Sequence, residues 1–228
     1  MERLPVTPGL IVFDLDGTLI DSIGDIASAV NRFRVSRAGS VLSENTVKAA
    51  VGHGARELCK TLLTDLAEDG ETPDDLYQAF RRIYIEEAGL PDHQIRWLPG
   101  AIEMLRHLQE QNLTAAILTN KPRRVTEVLQ PQLRQAFPWQ AILCPEDTGA
   151  PKPDPCGIQQ LIQRNQLTPE EVLFVGDSAV DFSTGKNAGV LTLGLRGGYG
   201  QITPPEPDHW LDRISELIPL IEGSPPKG

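Results

Sequence analysis

Two carboxylates two residues apart close the apolar run Leu10-Ile11-Val12-Phe13, in the order Asp14-Leu15-Asp16-Gly17-Thr18. Alternate side chains of an extended chain share a side, so Asp14 and Asp16 emerge together beyond the end of that run. Three further polar segments, Thr119-Asn120-Lys121, Pro151-Lys152-Pro153 and Gly176-Asp177-Ser178, come later in the chain. Aspartates, a hydroxyl and a lysine gathered in one crevice are complementary to a phosphoryl group held on a hard cation. Carboxylate oxygens suit Mg²⁺, while Thr119 and Lys152 can bind the phosphoryl oxygens that the metal leaves unneutralised. Without a metal or a phosphate, clustered acids raise one another's proton affinity, so the set makes little sense as a purely structural one.

Bringing these groups together requires strands that end side by side. Unalternated apolar runs recur at Leu10 to Leu15, Thr114 to Thr119, Ala141 to Cys144, Val172 to Val175 and Val190 to Leu195. Such runs, separated by helical patterns, are the signature of parallel strands covered on both faces, and in an open α/β sheet ligands bind beyond the carboxyl ends of the strands. Thr168-Pro169-Glu170-Glu171 carries helix-start chemistry before Val172, the proline-rich stretch from Ala150 to Pro155 predicts a stiff loop before a helix over Cys156 to Asn165, and Gly189 ends a helix that begins near Ser178. From Ser22 to Trp97 the chain shows no convincing strand. Helices are predicted there over Asp25 to Val35, Glu44 to Ala50, Ala55 to Ala67 and Asp74 to Ala88, the last started by Thr72-Pro73-Asp74-Asp75. The reading is therefore an α/β, Rossmann-like parallel-sheet core over residues 1–21 and 98–228, interrupted by a smaller helical cap over residues 22–97.

Composition bounds the rest. A chain of 228 residues with 40% hydrophobic and 23% charged residues is a folded globular protein of one or two domains. Its formal charge of −10 argues against nucleic acid as a partner. Cys59, Cys144 and Cys156 are odd in number and widely spaced, which predicts packing residues of a cytoplasmic protein rather than a disulfide or zinc framework. The start Met1-Glu2-Arg3-Leu4 lacks a basic stretch followed by a long apolar run, and no segment approaches the ~18 apolar residues of a membrane span. Neither secretion nor membrane insertion is expected.

At this point the sequence resembles the haloacid dehalogenase superfamily of aspartate-nucleophile phosphatases. The match comprises Phe13-Asp14-Leu15-Asp16-Gly17-Thr18, Leu118-Thr119-Asn120-Lys121-Pro122, Lys152-Pro153-Asp154-Pro155 and Val175-Gly176-Asp177-Ser178-Ala179-Val180-Asp181, in order across the core. The insertion resembles the helical cap of the subgroup containing phosphoglycolate phosphatases, and Val51-Gly52-His53-Gly54-Ala55-Arg56-Glu57-Leu58 is similar to their cap loop. The resemblance implies that Asp14 attacks phosphorus and forms an aspartyl phosphate. It implies that Asp16 protonates the leaving alcohol, later deprotonates the hydrolytic water, and offers its backbone carbonyl to Mg²⁺. Thr119, Asn120 and Lys152 would hold the transferring group, Asp14 and Asp177 would ligate the metal, and Asp181 would support it through water or orient Lys152. A cis Lys152-Pro153 bond is implied as well.

The first motif alone could be a fragment of a calcium loop, but the twelfth loop position is Asp25 rather than glutamate. Ser178 reads as the N-cap of its helix, and His93, His107 and His209 lack metal-ligand spacing. A phospho-accepting receiver module uses similar residues in a different order and has no insertion of this length. Asp16 argues for an oxygen leaving group rather than halide. The expected substrate is a small phosphorylated metabolite, foremost 2-phosphoglycolate, with a sugar phosphate such as N-acetylmuramate 6-phosphate, pyrophosphate and phosphosugar mutation left open. Monomer and homodimer are both compatible. His53 and Arg56, on the glycine-flanked turn of the cap, are the candidates for sensing a substrate carboxylate; the alternative is a tight interhelical turn with Arg56 paired to a neighbouring acid.

Overall fold

A computed structural model describes residues 7–90, 95–200 and 204–222. Among them, six parallel strands form one sheet: β1 (Leu10–Phe13), β2 (Ala115–Leu118), β3 (Ile142–Leu143), β4 (Val172–Gly176), β5 (Leu191–Leu195) and β6 (His209–Leu211), in the spatial order β3-β2-β1-β4-β5-β6. In β1, Ile11 lies opposite Ala115 of β2 and Val12 opposite Phe174 of β4. The strand order reverses on either side of β1, so a crevice opens beyond its carboxyl end.

Side-chain alternation gives the sheet two apolar faces. Ile11 and Phe13 pack with Met104 and Leu105 of α5 (Ala101–Glu110), Leu129 of α6 (Arg123–Ala136) and Leu217 of α10 (Leu217–Glu222). Leu10 and Val12 pack on the opposite face with Ile158 and Leu161 of α8 (Cys156–Asn165). The short α7 (Pro145–Thr148) follows β3, and α9 (Ala179–Ala188) follows β4. The continuous apolar runs follow directly from burial on both faces.

Between β1 and α5 the chain forms a helical cap of α1 (Ile23–Ser36), α2 (Glu44–Lys48), α3 (Ala55–Leu62) and α4 (Pro73–Ala88). It has its own apolar cluster, in which Phe33 and Phe80 meet edge to face at 6.1 Å, and Val125 of α6 joins that cluster from the core. The two connecting segments run side by side: Ile20 bridges Trp97 in antiparallel fashion, the Asp21 N–H donates to the Arg96 carbonyl at 2.7 Å, and the Leu98 N–H donates to the Leu19 carbonyl at 2.9 Å.

The helix-start chemistry of Thr72 forms a capping box with Asp75, and Ser178 caps α9, which stops at Gly189 in the left-handed region (φ 73°). The expected helix from Ala55 to Ala67 instead ends at Leu62 and is followed by one 3-10 turn, Thr64–Leu66. There the buried Arg34 guanidinium donates to the Leu62 carbonyl, and the Leu66 N–H bonds to the Leu63 carbonyl. Glu44 to Ala50 shortens to α2, Thr168-Pro169 opens a 3-10 turn rather than an α-helix, and β6 was not anticipated from the sequence. Cys59 and Cys144 are buried free thiols and Cys156 is half-buried. His93 and residues 223–228 lie outside the described residues. No described helix is long and apolar enough to cross a membrane.

The seating of α9 on β5 depends on Gly185, where a Cβ would lie 2.1 Å from Cγ2 of Thr192. Thr192 cannot give way easily, because it is buried and its hydroxyl donates to Asp208 at 2.7 Å. Overpacking of ~1–3 kcal/mol translates into a Gly185→Ala melting temperature lowered by roughly 2–12 °C. An unchanged thermal midpoint would show that α9 shifts without cost.

Candidate active site

The polar residues that follow the strands converge because the backbone ladder continues past them. The Asp14 N–H donates to the Val175 carbonyl at 2.9 Å, and the Thr119 N–H to the Leu143 carbonyl at 3.0 Å. Asp14 thus sits at the mouth of β1, Thr119 at that of β2 and Asp177 at that of β4, with Lys152 arriving on the loop before α8. Gly17 makes the turn after Asp16 with φ +85°, and a Cβ there would meet an Asp177 carboxylate oxygen at 2.6 Å. No other residue type suits both demands.

Lys152 is the central cation. Its Nζ donates to Asp14 Oδ1 at 2.5 Å and to Asp181 Oδ1 at 2.6 Å, and all three side chains are buried. The other Asp181 oxygen accepts from the Ser178 hydroxyl at 2.6 Å and the Ser178 N–H at 3.1 Å, so one carboxylate both caps α9 and aims the lysine. Asp177 Oδ2 accepts from the N–H groups of Tyr199 and Gly200. Burial pushes the Asp14 carboxyl well above the usual range; Lys152 opposes this, and Asp181 and Asp177 add to it. Burial and the Asp181 charge likewise push Asp177 up to about 6. Burial also opposes charge on Lys152, but its two carboxylates outweigh this and raise its pKa. The Lys152-Pro153 bond is cis.

Asp16 occupies a different environment. Its Oδ1 accepts from the Ser22 hydroxyl at 2.5 Å and from Lys121 Nζ at 2.9 Å. Lys121 also donates to the Tyr84 hydroxyl at 2.8 Å, bringing helix α4 of the cap to the wall of the site. The Thr119 hydroxyl accepts from the Lys121 N–H at 3.1 Å, which leaves its own O–H as a donor. Asn120, expected among the substrate contacts, lines the cavity and engages its side chain with protein: it donates to the carbonyls of Gly52 (3.1 Å) and Lys152 (3.0 Å) and accepts from the Lys152 N–H (2.8 Å). It joins the lysine loop to the cap turn. Tyr199 is a second joint, its hydroxyl accepting from the Ser22 and Ile23 N–H groups and donating to Asp21.

Asp14, Asp16, Thr119, Asn120, Lys121, Lys152, Asp177, Tyr84 and Tyr199 line a single cavity between sheet and cap, together with Val51, Gly52, Gly54 and Leu58 of the cap. His53 and Arg56 do not line it. They border an adjoining cavity, which shares Gly54, Ala55, Asn120 and Pro122 with the first and is lined further by Gln78, Arg81 and Glu146; there the exposed Arg56 pairs with Asp74 at 2.6 Å and lies 4.2 Å over the Tyr77 ring. The solvated pairing weighed as the alternative for Arg56 is the arrangement found. Among the other histidines, His107 faces Glu222 at 3.6 Å and His209 is exposed. Sequence reasoning gave no role to Lys121, Tyr84, Tyr199 or Ser22. Lys121 stands inside a motif already singled out and Tyr199 in a glycine-rich loop, whereas Tyr84 is indistinguishable in sequence from a core aromatic of α4.

Comparison with known proteins agrees with this geometry. Residues 11–195 match the family described as haloacid dehalogenase-like hydrolases. A phosphoglycolate phosphatase of Vibrio vulnificus is 34% identical over 218 residues, covering 93% of this chain and 95% of the relative. A phosphoglycolate phosphatase of Pseudomonas putida is 32% identical over 216 residues, covering 93% and 79%. The crystal structure of a predicted phosphoglycolate phosphatase from Haemophilus somnus superposes with a TM-score of 0.83 at 28% identity, covering 94% of this chain and 98% of that one.

The donor set fits a hard divalent cation. One carboxylate oxygen from each of Asp14, Asp177 and Asp181 lies within 4.8 Å of the others, all three residues are buried, and the one ammonium among them leaves negative charge in excess. The Asp16 carboxylate is outside this group, so any contact it makes with the cation would come from its backbone carbonyl. With no cation, protons take its place. Between the ordinary carboxyl range and about pH 6, the folded state holds protons that the unfolded chain has released, so stability falls as pH rises through that interval. A magnesium salt should therefore raise the melting temperature more at about pH 8 than at about pH 5, since protons compete for the same oxygens. Equal shifts at the two pH values, or none, would contradict this account of the cluster.

Proposed function

The chain belongs to the haloacid dehalogenase-like hydrolase family, and on that premise we propose that it is an Mg²⁺-dependent phosphomonoesterase converting 2-phosphoglycolate to glycolate and inorganic phosphate. The observation that carries this reading is the division of labour between the two carboxylates that follow β1. Asp14 lies buried against Lys152 within the acidic cluster, while Asp16 is held apart by Ser22 and Lys121 at the leaving-group side of the same cavity. The curated relatives named above are phosphoglycolate phosphatases, which supports the choice of ester.

In the proposed reaction an Asp14 oxygen attacks phosphorus as the bond to the ester oxygen breaks, and Asp16 passes a proton to the departing alkoxide. Asp16 then takes a proton from water, whose oxygen attacks the aspartyl phosphate, releasing phosphate and restoring the Asp14 carboxylate. Lys152 and the Thr119 hydroxyl hold the phosphoryl oxygens, and Asn120 keeps the lysine loop in register through its bonds to Lys152. Asp14, Asp177 and the Asp16 carbonyl would hold the cation, supported by Asp181. When bound it withdraws charge from the phosphoryl group and relieves the repulsion among the acids.

Asp14→Asn should fold with a near-native circular dichroism spectrum yet lose roughly 10⁴-fold or more of its phosphate release from 2-phosphoglycolate. Near-wild-type turnover by the purified variant would overturn the nucleophile assignment. Across a panel of 2-phosphoglycolate, N-acetylmuramate 6-phosphate and pyrophosphate, the first should give the highest kcat/KM; a higher value for either of the others would overturn the substrate.

A further inference from the structure

The cavity wall beside Asp16 contains a second cation besides Lys152. Lys121 is buried and donates two of its three N–H bonds, to Asp16 Oδ1 at 2.9 Å and to the Tyr84 hydroxyl at 2.8 Å. Its third N–H has no protein acceptor among the described residues. Among the described residues Lys121 and Lys152 are the cations lining this cavity, and Lys152 is engaged with Asp14 and Asp181. The basic residues of the cap turn, His53 and Arg56, border the adjoining cavity, where Arg56 is paired with Asp74.

The chemistry of the leaving group then fixes where a substrate charge must lie. In a phosphorylated 2-hydroxy acid, two covalent bonds separate the ester oxygen from the carboxylate carbon, a distance of ~2.4 Å. The acid that protonates this oxygen must approach it within ~2.6–3.2 Å. A substrate carboxylate therefore comes within a few ångströms of Asp16, and once Asp16 has given up its proton the two anions repel each other unless a cation stands beside them. Lys121 stands there. Tyr84 adds a neutral donor: burial pushes its hydroxyl up to about 12, so it stays protonated, and while accepting from Lys121 it can still donate.

Resting on the phosphomonoesterase reading above, we propose that Lys121 and Tyr84 form a subsite for a substrate carboxylate one carbon from the ester oxygen. Selectivity for phosphorylated 2-hydroxy acids then resides where α4 of the cap meets the end of β2, rather than in the His53–Arg56 turn. The subsite also couples recognition to chemistry. A carboxylate seated on Lys121 lies beside the proton donor for its own leaving oxygen.

The test compares 2-phosphoglycolate with ethyl phosphate, which has the same chain length and no carboxylate, in wild type, Lys121→Met and Tyr84→Phe. A charge-assisted hydrogen bond of this kind corresponds to roughly 10- to 100-fold in affinity. Lys121→Met should therefore lower kcat/KM for 2-phosphoglycolate by about 10- to 100-fold more than for ethyl phosphate, largely through KM. Tyr84→Phe should lower the same ratio by a few-fold, which keeps the proposal testable if the lysine variant folds poorly. Equal losses on the two esters, confined to kcat, would mean that Lys121 only positions Asp16 and would overturn the subsite. A wild-type enzyme that prefers 2-phosphoglycolate, with that preference intact in both variants, would overturn the subsite while leaving the phosphatase reading in place. Absence of any wild-type preference would overturn the substrate reading on which the subsite rests.

Discussion

Three buried carboxylates around one ammonium form the constraint on which the rest of the molecule is organised. Removing ionised groups from water is costly unless each is paired and hydrogen-bonded, and here Lys152 alone faces Asp14 and Asp181 while Asp177 depends on backbone N–H groups. The surrounding structure serves this arrangement. The parallel ladder sets the spacing of Asp14 and Asp177, the capping box of α9 fixes the second oxygen of Asp181, and Asn120 clamps the backbone of Lys152. Stability is thereby invested in a site that holds more negative charge than it can neutralise, and a divalent cation is the natural complement.

Most of the sheet was legible in the sequence because burial on both faces leaves an unmistakable apolar run, and Asp14, Asp16, Thr119 and Asp177 each follow directly on such a run. Cap helices with local start signals, such as Thr72-Pro73-Asp74-Asp75, were equally plain. What escaped notice depended on contacts distant in sequence. At the break after Leu62, that residue's carbonyl accepts from Arg34, 28 positions earlier. Strand β6 is only three residues long, with a side-chain pattern running from exposed to buried. Its place follows from pairing with β5 rather than from any periodicity of its own.

The same division holds within the site. Residue type and position relative to a strand end were enough to single out the acidic groups, but not to say which neighbours they hold. Lys121 and Tyr84 are 37 positions apart, and their meeting depends on how α4 packs over the core. His53 and Arg56 carried the right chemistry on a glycine-flanked turn, yet that turn presents its backbone to the central cavity and its basic side chains to another. Such orientation is a property of tertiary packing.

Tyr199 has a backbone N–H on Asp177 and a phenolic oxygen on Asp21, Ser22 and Ile23, at the segment where the chain passes from the sheet into the cap. Four hydrogen-bonding groups thus meet on the two ends of one residue, one end facing a carboxylate of the acidic cluster and the other the segment that enters the cap. The acidic cluster and the entry to the cap are therefore tied through one side chain, so whatever displaces one of them acts on the other, and such coupling is reciprocal by thermodynamic necessity.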